Sequence, residues 1–213
     1  VVVPAGQVCC GALHAHAGDE RGAARLLAAN LDAFEAAGPL DAVAVTAAGC
    51  GSALKEGARR FPDDPALAAR AQTFADGVRD TLELLDDLGL PEGARGPSER
   101  VACLDACHLA HAQQLPGLGR RVLSRLPGLE LVSVATSDRC CGSAGIYNLL
   151  HPEEAATLGD ERLAEATEAG AEVLATANAG CLMHLSARAR ATGSEVRCEH
   201  PLSLLDRGLE SDA

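Results

Sequence analysis

The pair Cys140-Cys141, followed by Gly142-Ser143-Ala144-Gly145, has a counterpart near the start of the chain at Cys9-Cys10-Gly11-Ala12-Leu13. Each pair is followed, after the same 39 intervening residues, by a lone Gly-Cys: Gly49-Cys50 for the first and Gly180-Cys181 for the second. This repeat constrains the fold more than any other feature. It calls for two similar halves, each bringing a vicinal thiol pair to a distant third cysteine. The chain holds nine cysteines, an odd number, in 213 residues. Motif-like spacing in a chain longer than the usual disulfide-stapled domain favours metal or catalytic use in a reducing compartment.

The elements between the cysteines alternate. Residues 1–4, Val-Val-Val-Pro, are expected to end a strand that delivers Cys9-Cys10, and so to lie inside a longer protein. A helix is expected from Asp19 to Ala37, with Ala24, Leu27, Leu31 and Phe34 at helical spacing, then a strand from Ala42 to Thr46. Pro65 to Asp87 reads as one long amphipathic helix through Leu67, Ala71, Phe74, Val78, Leu82 and Leu85. Residues 88–99 hold three Gly and two Pro, and the domain boundary is placed there, giving halves 1–92 and 93–213. Beyond it the pattern predicts strands at 100–104, 129–135, 172–176 and 195–198. Helices are expected from about 109 to 125, 152 to 169, 179 to 191 and 201 to 209. Strand and helix in alternation predict an α/β fold with mainly parallel strands and flanking helices.

A net charge of −12 argues against a nucleic-acid partner, because a phosphate backbone needs a Lys/Arg surface. Three Phe, one Tyr and no Trp leave little aromatic surface for stacking bases, and the core must be built from Leu, Val and Ala. No apolar run approaches the roughly 20 residues of a membrane-spanning helix, which suits a cytoplasmic protein.

The repeat cysteines all fall just after expected strands. In open α/β sheets ligands collect at the carboxyl ends of strands. Cys107 to Cys140 spans 32 intervening residues, about one strand–helix–strand unit. Cys107, Cys140, Cys141 and Cys181 therefore arrive from three successive strand ends and can converge. Four thiolates around one point bind an iron–sulfur cluster or zinc. Neighbouring glycines let backbone amides approach sulfur. A vicinal pair by itself is more often two buried thiols; repetition at one spacing favours the metal reading. Zinc ligands usually come as close C-x₂₋₄-C pairs, of which Cys103-x₃-Cys107 is the one instance, and redox dithiols as C-x-x-C, which does not occur.

The stretches Cys9-Cys10-Gly-Ala-Leu-His, Asp105-Ala-Cys-His-Leu-Ala-His, Cys140-Cys141-Gly-Ser-Ala-Gly-Ile-Tyr-Asn, Asn178-Ala-Gly-Cys-Leu-Met and His200-Pro-Leu-Ser-Leu-Leu-Asp resemble the CCG cysteine-rich domain family. Within it they are similar to the C-terminal part of glycolate oxidase iron–sulfur subunits, with the CCG-bearing chain of heterodisulfide reductase as a relative. The resemblance implies two pseudo-repeated CCG half-domains and electron transfer through [4Fe-4S] clusters. It implies Cys107, Cys140, Cys141 and Cys181 as one ligand set. Cys9, Cys10 and Cys50 supply three ligands of a second, whose fourth is expected upstream. It implies a flavoprotein dehydrogenase partner that carries FAD and oxidises a 2-hydroxy acid, and it allows peripheral membrane association through that complex. The chain is then an electron-transfer subunit with no catalytic residues of its own, and it shows no dinucleotide fingerprint. The closing C-x-x-C of the family is reduced to Ala47-Ala48-Gly49-Cys50 and Asn178-Ala179-Gly180-Cys181, which favours a simple four-cysteine cluster. The rival readings are thiol–disulfide chemistry of the heterodisulfide-reductase type and a zinc-stabilised scaffold.

His14, His16, His108 and His111 stand near the cysteine loops, either to hydrogen-bond sulfur or as ordinary loop histidines. His184 completes Cys181-x-x-His184 and is expected on a solvated helix face rather than as a ligand. Cys103 and Cys198 are expected in the core. Asp63-Asp64, Asp86-Asp87 and Glu153-Glu154 are expected at helix ends, where the helix dipole and solvent explain them.

Overall fold

The computed structural model describes residues 1–210, and all pairings among its strands are parallel. Contacts separate the chain into a first unit, Val1–Asp80, and a second that begins at Thr81. The fold is α/β, as the alternation of elements requires.

In the first unit the order is α1 (Ala12–His16), α2 (Glu20–Ala36), β1 (Val43–Val45), α3 (Ala48–Lys55), a 3₁₀ turn (Gly57–Arg60), α4 (Pro65–Gly77) and β2 (Val78–Asp80). Asp19 caps α2 by accepting from the Gly22 amide at 2.8 Å, and Asp64 caps α4 ahead of Pro65. Leu27, Leu31, Val43, Leu54, Phe61, Ala71 and Val78 form the core. Residues 1–4 are coil, not the end of a strand: Val1, Val2 and Val3 are exposed and only Pro4 is buried. The single helix expected over 65–87 is also interrupted. Val78–Asp80 leaves the helix and pairs with β1, Val43 opposite Val78. Val78 occupies a buried position under either conformation, so periodicity did not reveal the break. The β1–β2 pairing decides it.

The second unit continues with α5 (Thr81–Leu88), β3 (Arg100–Cys103), a π-helical turn (His108–Ala112), α6 (Leu118–Leu123), β4 (Glu130–Val132), α7 (Tyr147–Leu150), α8 (Pro152–Glu168), β5 (Val173–Ala175), α9 (Ala179–Thr192), β6 (Arg197–Glu199) and α10 (Pro201–Glu210). The Gly- and Pro-rich run 88–99 lies inside this unit, between α5 and β3. The helix expected over 109–125 is split, because Gln114 and Gly117 take positive φ around Pro116.

The sheet order is β4-β3-β5-β6. The chain leaves β3 toward one edge and β5 toward the other, so the β3–β5 junction is a topological switch point. Both faces are buried, as parallel sheets require. On one face Ala102, Leu104 and Leu174 pack with Leu163 and Ala166 of α8 and Leu185 and Ala189 of α9. On the other, Val101, Cys103, Val173 and Ala175 pack with Leu123 of α6 and Leu204 and Leu205 of α10.

Replacing Leu174, 1% exposed at the sheet centre, by Ala is expected to cost about 2–5 kcal/mol through lost burial and a residual cavity. Leu88→Ala, at a residue 82% exposed, is expected to stay within about 0.5 kcal/mol. Urea denaturation of the two variants checks the contrast.

Candidate functional site

The carboxyl ends of β3, β4 and β5 bring four thiols together. After β3 the chain is held in line by two bonds: the Leu104 amide donates to Ala175 O, and the Asp105 amide donates to Ser137 O, both at 2.8 Å. Asp105 Oδ2 accepts from the Gly117 amide at 2.9 Å, which closes the loop behind Cys107. Cys181 stands in the first turn of α9, where the positive end of the helix faces the sulfur. Cys107 and Cys140 are half-buried; Cys141 and Cys181 are 3% and 4% exposed.

The Cys140-Cys141 loop needs separate support because β4 ends eight residues earlier. Gly142, Ala144 and Gly145 all take positive φ, at 92°, 35° and 68°, and coil the loop tightly. A Cβ on Gly142 would lie 2.5 Å from Ala155 O and 3.1 Å from His184 Nε2, so the backbone there packs directly on α8 and α9. Arg162 of α8, its side chain 2% exposed, donates to Thr136 O at 3.1 Å and pairs with Glu165 at 3.0 Å. Thr136 Oγ1 in turn donates to Glu165. A buried guanidinium thus pins the loop at Thr136.

The sulfurs meet in sequence. Cys141 Sγ lies 2.7 Å from Cys181 Sγ, and the free thiol of Cys140 lies within reach of those of Cys107 and Cys141. Hydrogen bonds from Cys107 and then Cys141 hold the Cys140 thiol well below its ordinary pKa, helped by the Gly142 amide at 3.3 Å from its sulfur. Cys181 is lowered chiefly by Cys141 and also by the Asn178 amide, whose Nδ2 donates to Cys181 Sγ at 3.4 Å. Cys107 and Cys141 are raised because they give up protons last in these contacts and because burial disfavours their thiolates.

The first unit repeats this detail. Cys10 Sγ and Cys50 Sγ are 3.0 Å apart, and the Gly11 amide donates to Cys9 Sγ at 3.5 Å with Gly11 at φ 80°. Asn30 fixes the loop, accepting from the Val8 amide at 2.9 Å and donating to Cys9 O at 3.1 Å. Cys10 is pulled down to about 6, chiefly by the hydrogen bond from Cys50, and the Ala12 amide adds to the effect. Cys50 is raised by the same contact and by burial. The structure thus brings together Cys9, Cys10 and Cys50 in one place and Cys107, Cys140, Cys141 and Cys181 in another.

The donor set fits a thiolate-bound metal cluster in its chemistry: four thiols, amide donors on two of them, and no carboxylate among the sulfurs. The sulfurs are packed closer than ligands around a metal. Thiolates bound tetrahedrally at ~2.3 Å from one ion would be ~3.8 Å apart. In keeping with this, no group of three or more His, Cys, Asp or Glu side chains among the described residues is arranged around a metal-sized point.

The other candidates separate cleanly. Cys103 is buried in the core and pushed up to about 12 by burial. Cys198 is half-buried against the other face and raised to about 11 by burial. His184 is not solvated: it is 8% exposed, and its Nε2 lies 2.9 Å from Ala155 O, which holds α9 to α8 beneath Gly142. His108 Nδ1 is 3.7 Å from Cys107 Sγ, whereas His14 is engaged with Asp19 at 2.9 Å. Asp64 caps α4, Asp86 pairs with Arg121 and Arg125, and Glu153 and Glu154 sit in the first turn of α8. Arg162, Thr136 and Glu165 escaped the sequence reading because their partnership spans a loop with no pattern. Asn178 was legible only by setting it against Ala47, its counterpart in the repeat. An open cavity of about 920 Å³ lies at the amino ends of β3, β5 and β6, lined by Arg100, Glu172 and Arg197, and no thiol lines it.

Fold and thiols together define a cysteine-rich α/β protein whose two halves repeat one sulfur site. A family model described as CCG, cysteine-rich domain, matches residues 1–55 and 101–186, and the chain belongs to that family. It is 34% identical over 209 residues to the probable glycolate oxidase iron–sulfur subunit of Bacillus subtilis, covering 96% of this chain and 47% of that protein. It is 35% identical over 215 residues to the glycolate oxidase iron–sulfur subunit of Escherichia coli, covering 99% and 51%. Lactate utilization protein A of Bacillus velezensis is 27% identical over 204 residues, covering 95% and 84%. The chain spans about half the length of the two glycolate oxidase subunits.

Gly142→Ala is expected to destabilise the fold by about 1–3 kcal/mol, since the site offers neither the space nor the backbone conformation for a Cβ; thermal unfolding measures it. Metal-free protein treated with iodoacetamide at pH 7 is expected to label Cys10 and Cys140 well ahead of Cys103 and Cys198. A lowered pKa keeps the thiolate at neutral pH, and Cys10 labelling should fall away as the pH drops below about 6. Peptide mass spectrometry reads the order.

Proposed function

We propose that this chain is the electron-carrying part of an iron–sulfur subunit that serves a flavin-dependent 2-hydroxy-acid dehydrogenase of the glycolate type, in the cytoplasm. Cys107, Cys140, Cys141 and Cys181 hold one [4Fe-4S] cluster. Cys9, Cys10 and Cys50 supply three ligands of a second site, each site belonging to one CCG repeat with the division drawn at residue 92. The observation that carries the reading is the convergence of four thiols from three parallel strand ends, with amides aimed at their sulfurs. A bound cluster of this kind accepts and passes on single electrons.

The protein's part is to hold and insulate. Cys141 and Cys181 are buried whereas Cys107 and Cys140 are half-buried, so solvent reaches the site from the Cys107 and Cys140 side. The Gly142 amide and the α9 N-terminus place positive charge against sulfur and support an anionic group there. Exposed Leu149 and Leu150 on α7, and Met183 on α9, add apolar surface next to the thiol loops, which suits a protein partner. The names of the relatives support a subunit role, and FAD is assigned to the flavoprotein partner. No helix of the described residues is long and apolar enough to cross a membrane, and membrane association is assigned to the complex as a peripheral one.

Anaerobic reconstitution with iron and sulfide, followed by metal analysis and EPR, tests the assignment. About four irons per complete site are expected, and Cys140→Ser and Cys181→Ser should each reduce the iron bound. Stoichiometric zinc without iron would show a scaffold instead, and a Cys140→Ser variant with full iron content would remove the pair from the ligand set.

A further inference from the structure

The two halves hold the same thiols but not the same neighbours. Cys50 and Cys181 occupy matching places, each in the first turn of a helix that follows a three-residue strand. Counting back from them in register, Val45 stands where the second half has Thr176, and Ala47 where it has Asn178. Both differences replace a hydrogen-bond donor by an alkyl group.

In the second half one of these donors bonds a site sulfur and the other is buried without a partner. Asn178 is the residue before α9, where an Asn ordinarily accepts a bond from the helix's first turn. It makes no such cap; its Nδ2 donates instead to Cys181 Sγ at 3.4 Å. Thr176 directly follows β5 and is 0% exposed, and its Oγ1 has no hydrogen-bond partner. A buried hydroxyl left that way costs stability. The Cys181 sulfur, in the first turn of α9, lies within its reach. The wall around Cys181 is thus more polar than packing requires.

We infer that Thr176 and Asn178 are positioning residues that raise the reduction potential of the cluster held by the second half, through hydrogen bonds to the Cys181 sulfur. The inference rests on the iron–sulfur reading above. Reduction adds one electron and leaves every bond intact, so the cluster and its thiolates gain negative charge. Donors aimed at a thiolate stabilise the more negative state more strongly, and the potential rises. The first half, with Val45 and Ala47, lacks both donors, so the two sites of one chain are electronically unequal by construction.

The experiment gives the second half the first half's residues. Full-length chain carrying Thr176→Val, Asn178→Ala or both is reconstituted anaerobically with iron and sulfide. Iron content is measured, and the protein is titrated with dithionite as the one-electron reductant under EPR. Iron content is expected to match the parent. The midpoint is expected to fall in each single variant by about tenfold in the reduction constant, about 59 mV for one electron, and further in the double variant. Thr176→Ser, which keeps the hydroxyl, should stay near the parent value. Full iron with an unmoved midpoint in both single variants would overturn the inference and leave the cluster assignment standing. Loss of iron from the near-isosteric Thr176→Val variant would overturn it by giving that residue a structural role. A parent chain that takes up no iron would remove the cluster reading and this inference with it.

Discussion

The parallel pairing of β3 with β5 is the constraint on which the second unit depends. Val101, Ala102 and Cys103 lie opposite Val173, Leu174 and Ala175, and five of these six side chains are at most 1% exposed, Cys103 being 5%. Because β4 and β6 lie on opposite sides of this pair, the chain diverges there, and the loops that follow β3 and β5 face one another across the gap. Cys107 and Cys181 are brought together by that topology before any side chain of the site contributes. The pairing is buried on both faces, so it is also the part of the sheet least able to shift.

The Cys140-Cys141 loop follows an edge strand, and strand pairing alone does not place it. Two devices do. Positive φ at Gly142 lets the backbone lie against Ala155 and His184, and buried Arg162, paired with Glu165, grips Thr136 upstream. Such a pair is a weak source of net stability but a strong determinant of position, because leaving the buried guanidinium unpartnered is costly while Glu165 stays part-exposed. His184 belongs to the same support. Its imidazole spans α9 to α8 under the loop, which is why a residue spaced like a ligand is engaged elsewhere.

Much of the architecture was legible from local pattern. Helical periodicity located α2, α8 and α9 to within a few residues, and apolar runs flanked by Gly or Pro located β1, β3 and β5. The failures have one cause. Val78 fits the apolar stripe of a helix running from Leu67 to Leu85, yet it is also a residue that packs well in a strand. Its partner Val43 lies far away in sequence, so no local window registers the pairing. Val1–Val3 shows the converse: a run that reads as strand stays coil where no described strand pairs with it. At the site, cysteine spacing marked which thiols share a half. Thr136, Arg162 and Glu165 carried no signal, because a loop residue and a helix residue 26 positions apart meet only once the helix is docked.

The sequence by itself determined the α/β class, the twofold repeat, and the assignment of Cys9, Cys10 and Cys50 to one half and of Cys107, Cys140, Cys141 and Cys181 to the other. These follow from spacing and alternation, which are properties of the chain as written. Tertiary structure alone decided that Cys103 packs on the sheet face opposite Cys141 and Cys181, that His184 is buried, that the 65–87 helix breaks for β2, and that Asn178 donates to sulfur and makes no helix cap. Each of these depends on which face a side chain takes and what stands opposite it. That is set by long-range packing, where burial and unpartnered polar groups outweigh local preference.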